Sequence, residues 1–360
     1  MDANQHEPWR AKHEGPVFFG LGLLVGLIRI FGESTMHPIH SYTRREFIGT
    51  AASLGVATAI LGNPEPCQGA EKKPGWPVAC RDGHLKAMGQ PDSWSALKEL
   101  GANGVEIVVN EDLQCPSLFH PQKKYSIATA EDIRVLREDV ENHGLQITAF
   151  CMSNRLDERL EREVAWTKRL VAVAQIMAVG AIRIDVVPRA IKAEDYMPFA
   201  IQACKQLCEL AKDTPVRFGI ENHGHWTNRP EVLQELFDAV GSDHLGLTLD
   251  AMNFYWFGHP LKDVYGICEK FASRVFHTHC KNLSYPDDKK NSPRPIGWEY
   301  EKHAAPLYEG DVDYQRIVGI LARAKYAGDL CLENECLGRF SKEQHADILK
   351  KEVALLRKLA

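Results

Sequence analysis

A chain of 360 residues, 44% apolar and 25% charged, has the composition of one large globular domain with additional segments, not of a disordered or fibrous polymer. Its net charge of −5 argues against a nucleic-acid partner, which would need a concentrated basic stripe, and Lys289, Lys290 and Arg294 merely follow Asp287 and Asp288 as in a solvated loop. The ten cysteines include no C-x-x-C pair, and Cys151, Cys204, Cys208, Cys280 and Cys331 fall inside strand or helix patterns, as small buried apolar residues do.

In chain order, residues 17–31 (VFFGLGLLVGLIRIF) form an apolar stretch interrupted by Arg29 and shorter than the ~20 residues that span a bilayer. Next come Arg44-Arg45-Glu46-Phe47-Ile48, a mildly apolar run to Leu61, and the breakers Gly62, Asn63 and Pro64. The arginine pair borders an uncharged run and does not recur at helical spacing. Residues 36–70 thus resemble a twin-arginine signal, which implies the twin-arginine export machinery as a partner and an exported, periplasmic location. Met36 stands directly before this segment and fits a translation start, leaving residues 1–35 as an untranslated or short apolar extension. An uncleaved membrane anchor is the alternative. A cut after Ala70 makes residues 71–76 a linker ahead of a domain at 77–360.

Within that domain, apolar runs of strand length alternate with longer segments of helical period. Strand 1 is expected at 77–82, with a helix at 92–100 capped by Asp92 or Ser93. Strand 2 covers 104–109; the helix at 129–142 opens on the capping pair Thr129 and Asp132 and stops at Gly144. Strand 3 (145–150) leads into a long helix at 157–179, and strand 4 (181–187) into one at 194–212. Four further strands precede helices near 229–240, 260–272, 311–326 and 341–359. Gly101, Gly144, Gly180 and Gly328, at helix-to-strand junctions, read as C-terminal caps. Eight consecutive β/α units favour a single (β/α)8 TIM barrel over an open doubly wound sheet, and no G-x-G-x-x-G follows the first strand.

The last four strands share one pattern. The runs VRFGI, LGLTL, RVFHT and DLCL end in Glu221, Asp250, His279 and Glu333, with 28, 28 and 53 residues between these four. Strand ends of a β/α repeat collect on one rim, where active sites are built. Two Glu, one Asp and one His there are ligands for one divalent metal ion that accepts oxygen and nitrogen donors: Mn, Co, Mg or Zn. The two carboxylates Glu221 and Glu333 also form an acid/base pair, one to remove a substrate proton and one to return it.

These residues lie in the motifs Glu221-Asn222-His223, Leu249-Asp250-x-x-Asn253, His277-x-His279-x-Lys281-Asn282, Glu309-Gly310-Asp311-Val312-Asp313 and Leu332-Glu333-Asn334-Glu335. Their order and spacing resemble the xylose isomerase-like barrel superfamily over residues 76–360. That superfamily includes sugar and sugar-phosphate isomerases and epimerases, inosose dehydratases and apurinic endonucleases. By resemblance to its ketose 3-epimerases, Glu221, Asp250, His279 and Glu333 hold one Mn²⁺-like ion, Glu221 and Glu333 exchange the substrate proton, and dimers or tetramers form. The chain departs from that pattern at two places. Asn253 stands where epimerases often have His, and their substrate-binding Arg after the strand-7 His has no clear match, leaving Tyr285 or Arg294 to serve. A trinuclear endonuclease site is not expected, because Asn253 replaces one ligand and the strand ends Val109-Asn110 and Cys151-Met152 supply no His.

Asn222, His223 and His225, on the loop after strand 5, are expected to bind sugar hydroxyls, the alternative being that they orient Glu221 or the loop backbone. Asn253, Lys281 and Trp256 complete the expected substrate contacts, with Lys281 an electrophile, a base, or an ion-pair partner of Asp250 or Glu309. Trp226, Tyr255, Trp256, Phe257, Trp298 and Tyr300 gather on the same loops, where aromatics stack on sugar rings or simply pack. His277 lies one layer below His279 and reads as a histidine of the core or one that supports the ligands, not as a metal ligand, while Arg183, Asp185 and Glu106 point inward and are expected to pair. Residues 281–310 are long enough for a lid. The expected activity is a metal-dependent sugar or keto-sugar isomerase or epimerase. A lyase or dehydratase acting on keto-sugars or 3-keto-glycosides, and a non-catalytic exported sugar-binding barrel, are the alternatives.

Overall fold

The computed structural model describes residues 74–360; the extension at 1–35, the export segment at 36–70 and linker residues 71–73 lie outside the described residues. Strands β1 (Val78–Arg81), β2 (Gly104–Val108), β3 (Gln146–Cys151), β4 (Ala181–Ile184), β5 (Arg217–Glu221), β6 (Leu245–Asp250), β7 (Val275–His279) and β8 (Leu330–Leu332) form one sheet in the order β8-β1-β2-β3-β4-β5-β6-β7. Every ladder in it is parallel. The seam between β7 and β8 is joined by a parallel bridge at Cys280 and Leu332. There the Cys280 N–H donates to Cys331 O at 2.7 Å and the Glu333 N–H donates to Cys280 O at 3.1 Å. The result is a nearly closed (β/α)8 barrel.

Helices α1 (Ser93–Leu100), α2 (Ala130–Asn142), α3 (Leu156–Ile176), α4 (Tyr196–Ala211), α5 (Pro230–Val240), α6 (Ala251–Phe257), α7 (Leu261–Phe271), α8 (Tyr314–Arg323) and α9 (Lys342–Leu359) connect or follow the strands. Local chemistry sets where they begin. The Asp92 carboxylate accepts from the N–H groups of Trp94 and Ser95, and Thr129 with Asp132 closes a reciprocal capping box. Where helices end is less simple. Gly101 and Gly144 take positive φ after α1 and α2, but after α3 and α8 the left-handed residues are Ala178 (φ 56°) and Lys325 (φ 59°), not Gly180 and Gly328. Gly328 is small for another reason, since a Cβ there would lie 2.3 Å from the Tyr326 hydroxyl.

Alternation along the strands separates two environments. Val105, Ile107, Ile182, Phe218, Ile220 and Leu247 are fully buried and pack in the apolar core. Alternating with such residues, Glu106, Arg183, Glu221, Thr248 and His277 are buried polar groups that bond to other side chains or to backbone. The described cysteines are free and buried, which fits their reading as small core residues.

Residues 281–310 are an ordered excursion. Asn282–Leu283 pairs antiparallel with Ala304–Ala305, and helical turns occupy Asp287–Lys290 and Tyr300–His303. Arg294 staples this excursion to α6. Its guanidinium lies 4.5 and 4.4 Å from the ring centres of Tyr255 and Tyr285, and it donates to Tyr255 O (2.7 Å), His259 O (3.1 Å) and Lys289 O (2.6 Å). Gly258 makes the approach feasible: its φ is 115°, and a Cβ would sit 2.1 Å from Arg294 O.

Candidate active site

Glu221, Asp250 and His279 are the last residues of β5, β6 and β7, and Glu333 follows β8 directly. One ligand atom from each lies within 4.8 Å of the others, and all four residues are buried. A helix-cap contact shapes the cluster. Asp250 Oδ1 accepts from the Asn253 N–H at 2.9 Å as the N-cap of α6, which leaves Oδ2 to face the other ligands. His279 Nε2 lies 2.9 Å from Glu106 Oε2, so Nδ1 faces Glu221 Oε1 (3.3 Å) and Glu333 Oε2 (3.1 Å). Asp250 Oδ2 and His279 Nδ1 are buried without a hydrogen-bond partner, although Lys281 Nζ is 3.1 Å from the former. Orphaned buried donors and acceptors are costly. Two such atoms converging with two carboxylates, in a mixed oxygen and nitrogen set, fit a divalent cation.

Cations surround the cluster. Arg183 pairs with Glu221 through Nε at 2.7 Å and through Nη2, and with Asp185 at 2.9 Å. Arg81 bonds Glu333 and lies 3.3 Å from Glu106. Lys281 Nζ lies 2.9 Å from Glu333 and 2.7 Å from Glu335, and so pairs with Asp250 and both glutamates instead of Glu309. Burial opposes the ionisation of Glu221, but Arg183 and His279 overcome it and hold the carboxyl well below its usual range. Glu333 is held low in the same way by His279, Lys281 and Arg81. Asp250 behaves differently: burial, opposed by Lys281 but reinforced by Glu221 and Glu333, pushes its carboxyl up to about 7.

Glu221 and Glu333 form part of the wall of a cavity of about 450 Å³, which Arg81, Ser153, Arg183, His223, Trp256 and Tyr300 also line. Of the expected substrate contacts, His223, Asn253, Lys281 and Trp256 face this cavity, and Asn253 donates to Glu221 Oε1 at 3.1 Å. Two expectations need correction. Asn222 is fully buried and does not line the cavity, because its amide is spent on the Asp250 backbone (N–H to Oδ1 2.9 Å; Nδ2 to O 2.7 Å) and on Asn228. His225 is exposed and stands against Trp226 and Phe257 instead of the cavity. Arg183 pairs with Asp185 as expected, whereas Glu106 pairs with Arg81 and the two histidines. His277, held by Asp329 at 2.7 Å, lies in the core. Arg294 and Tyr285 are tied up within the excursion, and neither lines the cavity. Sequence reasoning overlooked Arg81 and Glu335. Arg81 ends an apolar strand as Glu221 does, so the same rule applied to strand 1 would have found it.

The sequence matches the family described as Xylose isomerase-like TIM barrel over residues 94–359. Inosose isomerase from Halalkalibacterium halodurans is 24% identical over 200 residues, covering 52% of this chain and 65% of that protein; the chain thus spans less than two thirds of this curated relative. Among solved structures, the IOLI protein with a bound zinc atom is 17% identical, with a TM-score of 0.57 over 79% of this chain and 99% of that one. D-psicose 3-epimerase from Clostridium cellulolyticum H10, with D-tagatose, is 11% identical, with a TM-score of 0.58 over 79% and 99%. At these identities the structural likeness concerns the fold, and the sequence match supplies the kinship: the chain belongs to the xylose isomerase-like TIM barrel family.

Proposed function

We propose that the chain is a divalent-metal-dependent isomerase or epimerase of a free sugar or keto-sugar, with Glu221 and Glu333 moving the substrate proton. The observation that supports it most is that both carboxylates, each held ionised by guanidinium or ammonium partners, border one cavity beside His279 and Asp250. A bound divalent ion, held by Glu221, Asp250, His279 and Glu333, would polarise the substrate carbonyl and offset the charge that develops on its oxygen. Glu221 or Glu333 takes the proton from the carbon next to the carbonyl, and the electron pair moves onto oxygen as an enediolate. The other carboxylate, after taking a proton from water, delivers one to the opposite face of that carbon or to its neighbour, and the first carboxyl loses its proton to solvent, which restores both carboxylates. Arg183 and Arg81 hold the two carboxylates in place, while Trp256 and Tyr300 offer aromatic surface to the sugar. Inosose isomerase as relative and the epimerase of like fold agree with this reading.

A lyase is the second reading, favoured by one observation. Arg294, on the excursion, is pinned to backbone carbonyls and does not line the cavity. Incubating the metal-loaded protein with keto-sugars and 3-keto-glycosides and weighing the products separates the two: an isomer of unchanged mass supports the first, loss of water or an aglycone the second. A chain that binds sugar without metal or turnover points to a binding barrel. The reading includes export through the twin-arginine machinery. Replacing Arg44-Arg45 by two lysines then strands the protein in the cytoplasm, and unchanged fractionation overturns that part.

A further inference from the structure

We infer that Glu106 is the positioning residue that decides which ring nitrogen His279 turns toward the site. This rests on reading Glu221, Asp250, His279 and Glu333 as a cation site. A metal-bound imidazole is neutral, with one N–H and one lone pair, and the partner of one nitrogen sets the state of the other. His279 Nε2 lies 2.9 and 3.1 Å from the two oxygens of Glu106. A carboxylate there requires the N–H on Nε2 and leaves the lone pair on Nδ1, the atom that is buried without a hydrogen-bond partner among the ligands.

Glu106 is itself held from several sides. It is fully buried on β2, 3.3 Å from Arg81 Nε and 3.5 Å from His277 Nε2. His277 Nδ1 lies 2.7 Å from Asp329 Oδ1, just ahead of β8. Asp329, His277, Glu106 and His279 therefore stand in file through the barrel interior, hydrogen-bonded in pairs at its two ends and 3.5 Å apart between His277 Nε2 and Glu106. Arg81 carries the same restraint sideways, since it bridges Glu106 and Glu333. One carboxylate on β2 thus orients a ligand on β7 and, through Arg81, a proton-transferring group beyond β8.

The test uses the full chain and two readouts. Manganese affinity is measured by calorimetry for the wild type, Glu106→Leu and Glu106→Gln, with circular dichroism to check folding. Long-range ¹H–¹⁵N spectra of ¹⁵N-histidine-labelled, zinc-loaded wild type report which nitrogen of His279 binds metal. Glu106→Leu should bind about 10–100-fold more weakly, as loss of a carboxylate behind a ligating histidine does. Glu106→Gln, which keeps one acceptor oxygen, should fall between it and the wild type. His279 should carry its proton on Nε2 and bind through Nδ1. Wild-type affinity in Glu106→Leu, or zinc bound through Nε2, overturns the positioning role. A wild-type chain that takes up neither ion overturns the metal-site reading itself. If the variants fail to fold, the wild-type spectrum alone decides.

Discussion

On the same rim, β5 to β8 end in acidic and imidazole groups, whereas β1 and β4 bring the guanidinium groups of Arg81 and Arg183 and β2 the buried Glu106. The first half of the barrel thus supplies guanidinium counter-charge and orientation, and the second half supplies the groups suited to chemistry together with the Lys281 ammonium. Buried carboxylates this close together would repel and protonate if left alone, as Asp250 begins to do. Arg183 with His279 keeps Glu221 ionised, and His279 and Lys281 with Arg81 do the same for Glu333. Reactivity on one side of such a barrel depends on salt bridges from the other.

The sharpest way to break this comparison is to lose one member of each half. Glu333→Gln should lower kcat by about 10²–10⁴-fold, the range for loss of a positioned acid or base, with the circular dichroism spectrum unchanged. Arg183→Met should instead strike stability: leaving Glu221 and Asp185 buried without their guanidinium partner should cost about 3–5 kcal/mol in urea unfolding. If the two variants exchange these phenotypes, the division is wrong. Asn222→Ala should cost about 1–3 kcal/mol by leaving the Asp250 N–H unsatisfied, with little change in KM, because Asn222 does not border the cavity. Asp157, at the start of α3, offers a control away from the ligands. Its carboxylate accepts from the N–H groups of Arg189, Ala190 and Ile191 at 2.7, 2.7 and 2.9 Å, which hold its pKa low against partial burial. The stabilisation is present above the unfolded value near 3.9 and lost as pH falls through the depressed one. Asp157→Asn should therefore lose about 1 kcal/mol at neutral pH, and the gap to wild type should close on acidification. His225→Ala should change neither KM nor stability measurably.

Much of the barrel could be read because strand and helix borders are local events. The switch from apolar to charged at Glu221 and Asp250 marks a strand end, and Asp92 or Thr129 with Asp132 marks a helix start within four residues. Long-range pairings leave no such mark. Alternation turns Glu106 inward, but only the closed barrel brings it to His279, 173 residues away. Likewise nothing local says that Asn222 points down into the Asp250 backbone while His223, the next residue, points into the cavity. The helix α6 was hidden because it begins at the strand's own last residue, with Asp250 serving as ligand candidate and cap at once.

The barrel seam has a thermodynamic consequence. Every other junction in the sheet is a ladder of at least three residue pairs, but β7 and β8 meet at one bridge, Cys280 with Leu332. His279 immediately precedes that bridge on one side and Glu333 immediately follows it on the other. An ion gripped by both is therefore a cross-link over the most weakly zipped junction, and loading and barrel closure become a single equilibrium. At a hundredfold excess over its dissociation constant such an ion adds about 2.7 kcal/mol to the apparent stability. Amide exchange in β7 and β8 should then slow with loading more than exchange anywhere else in the sheet.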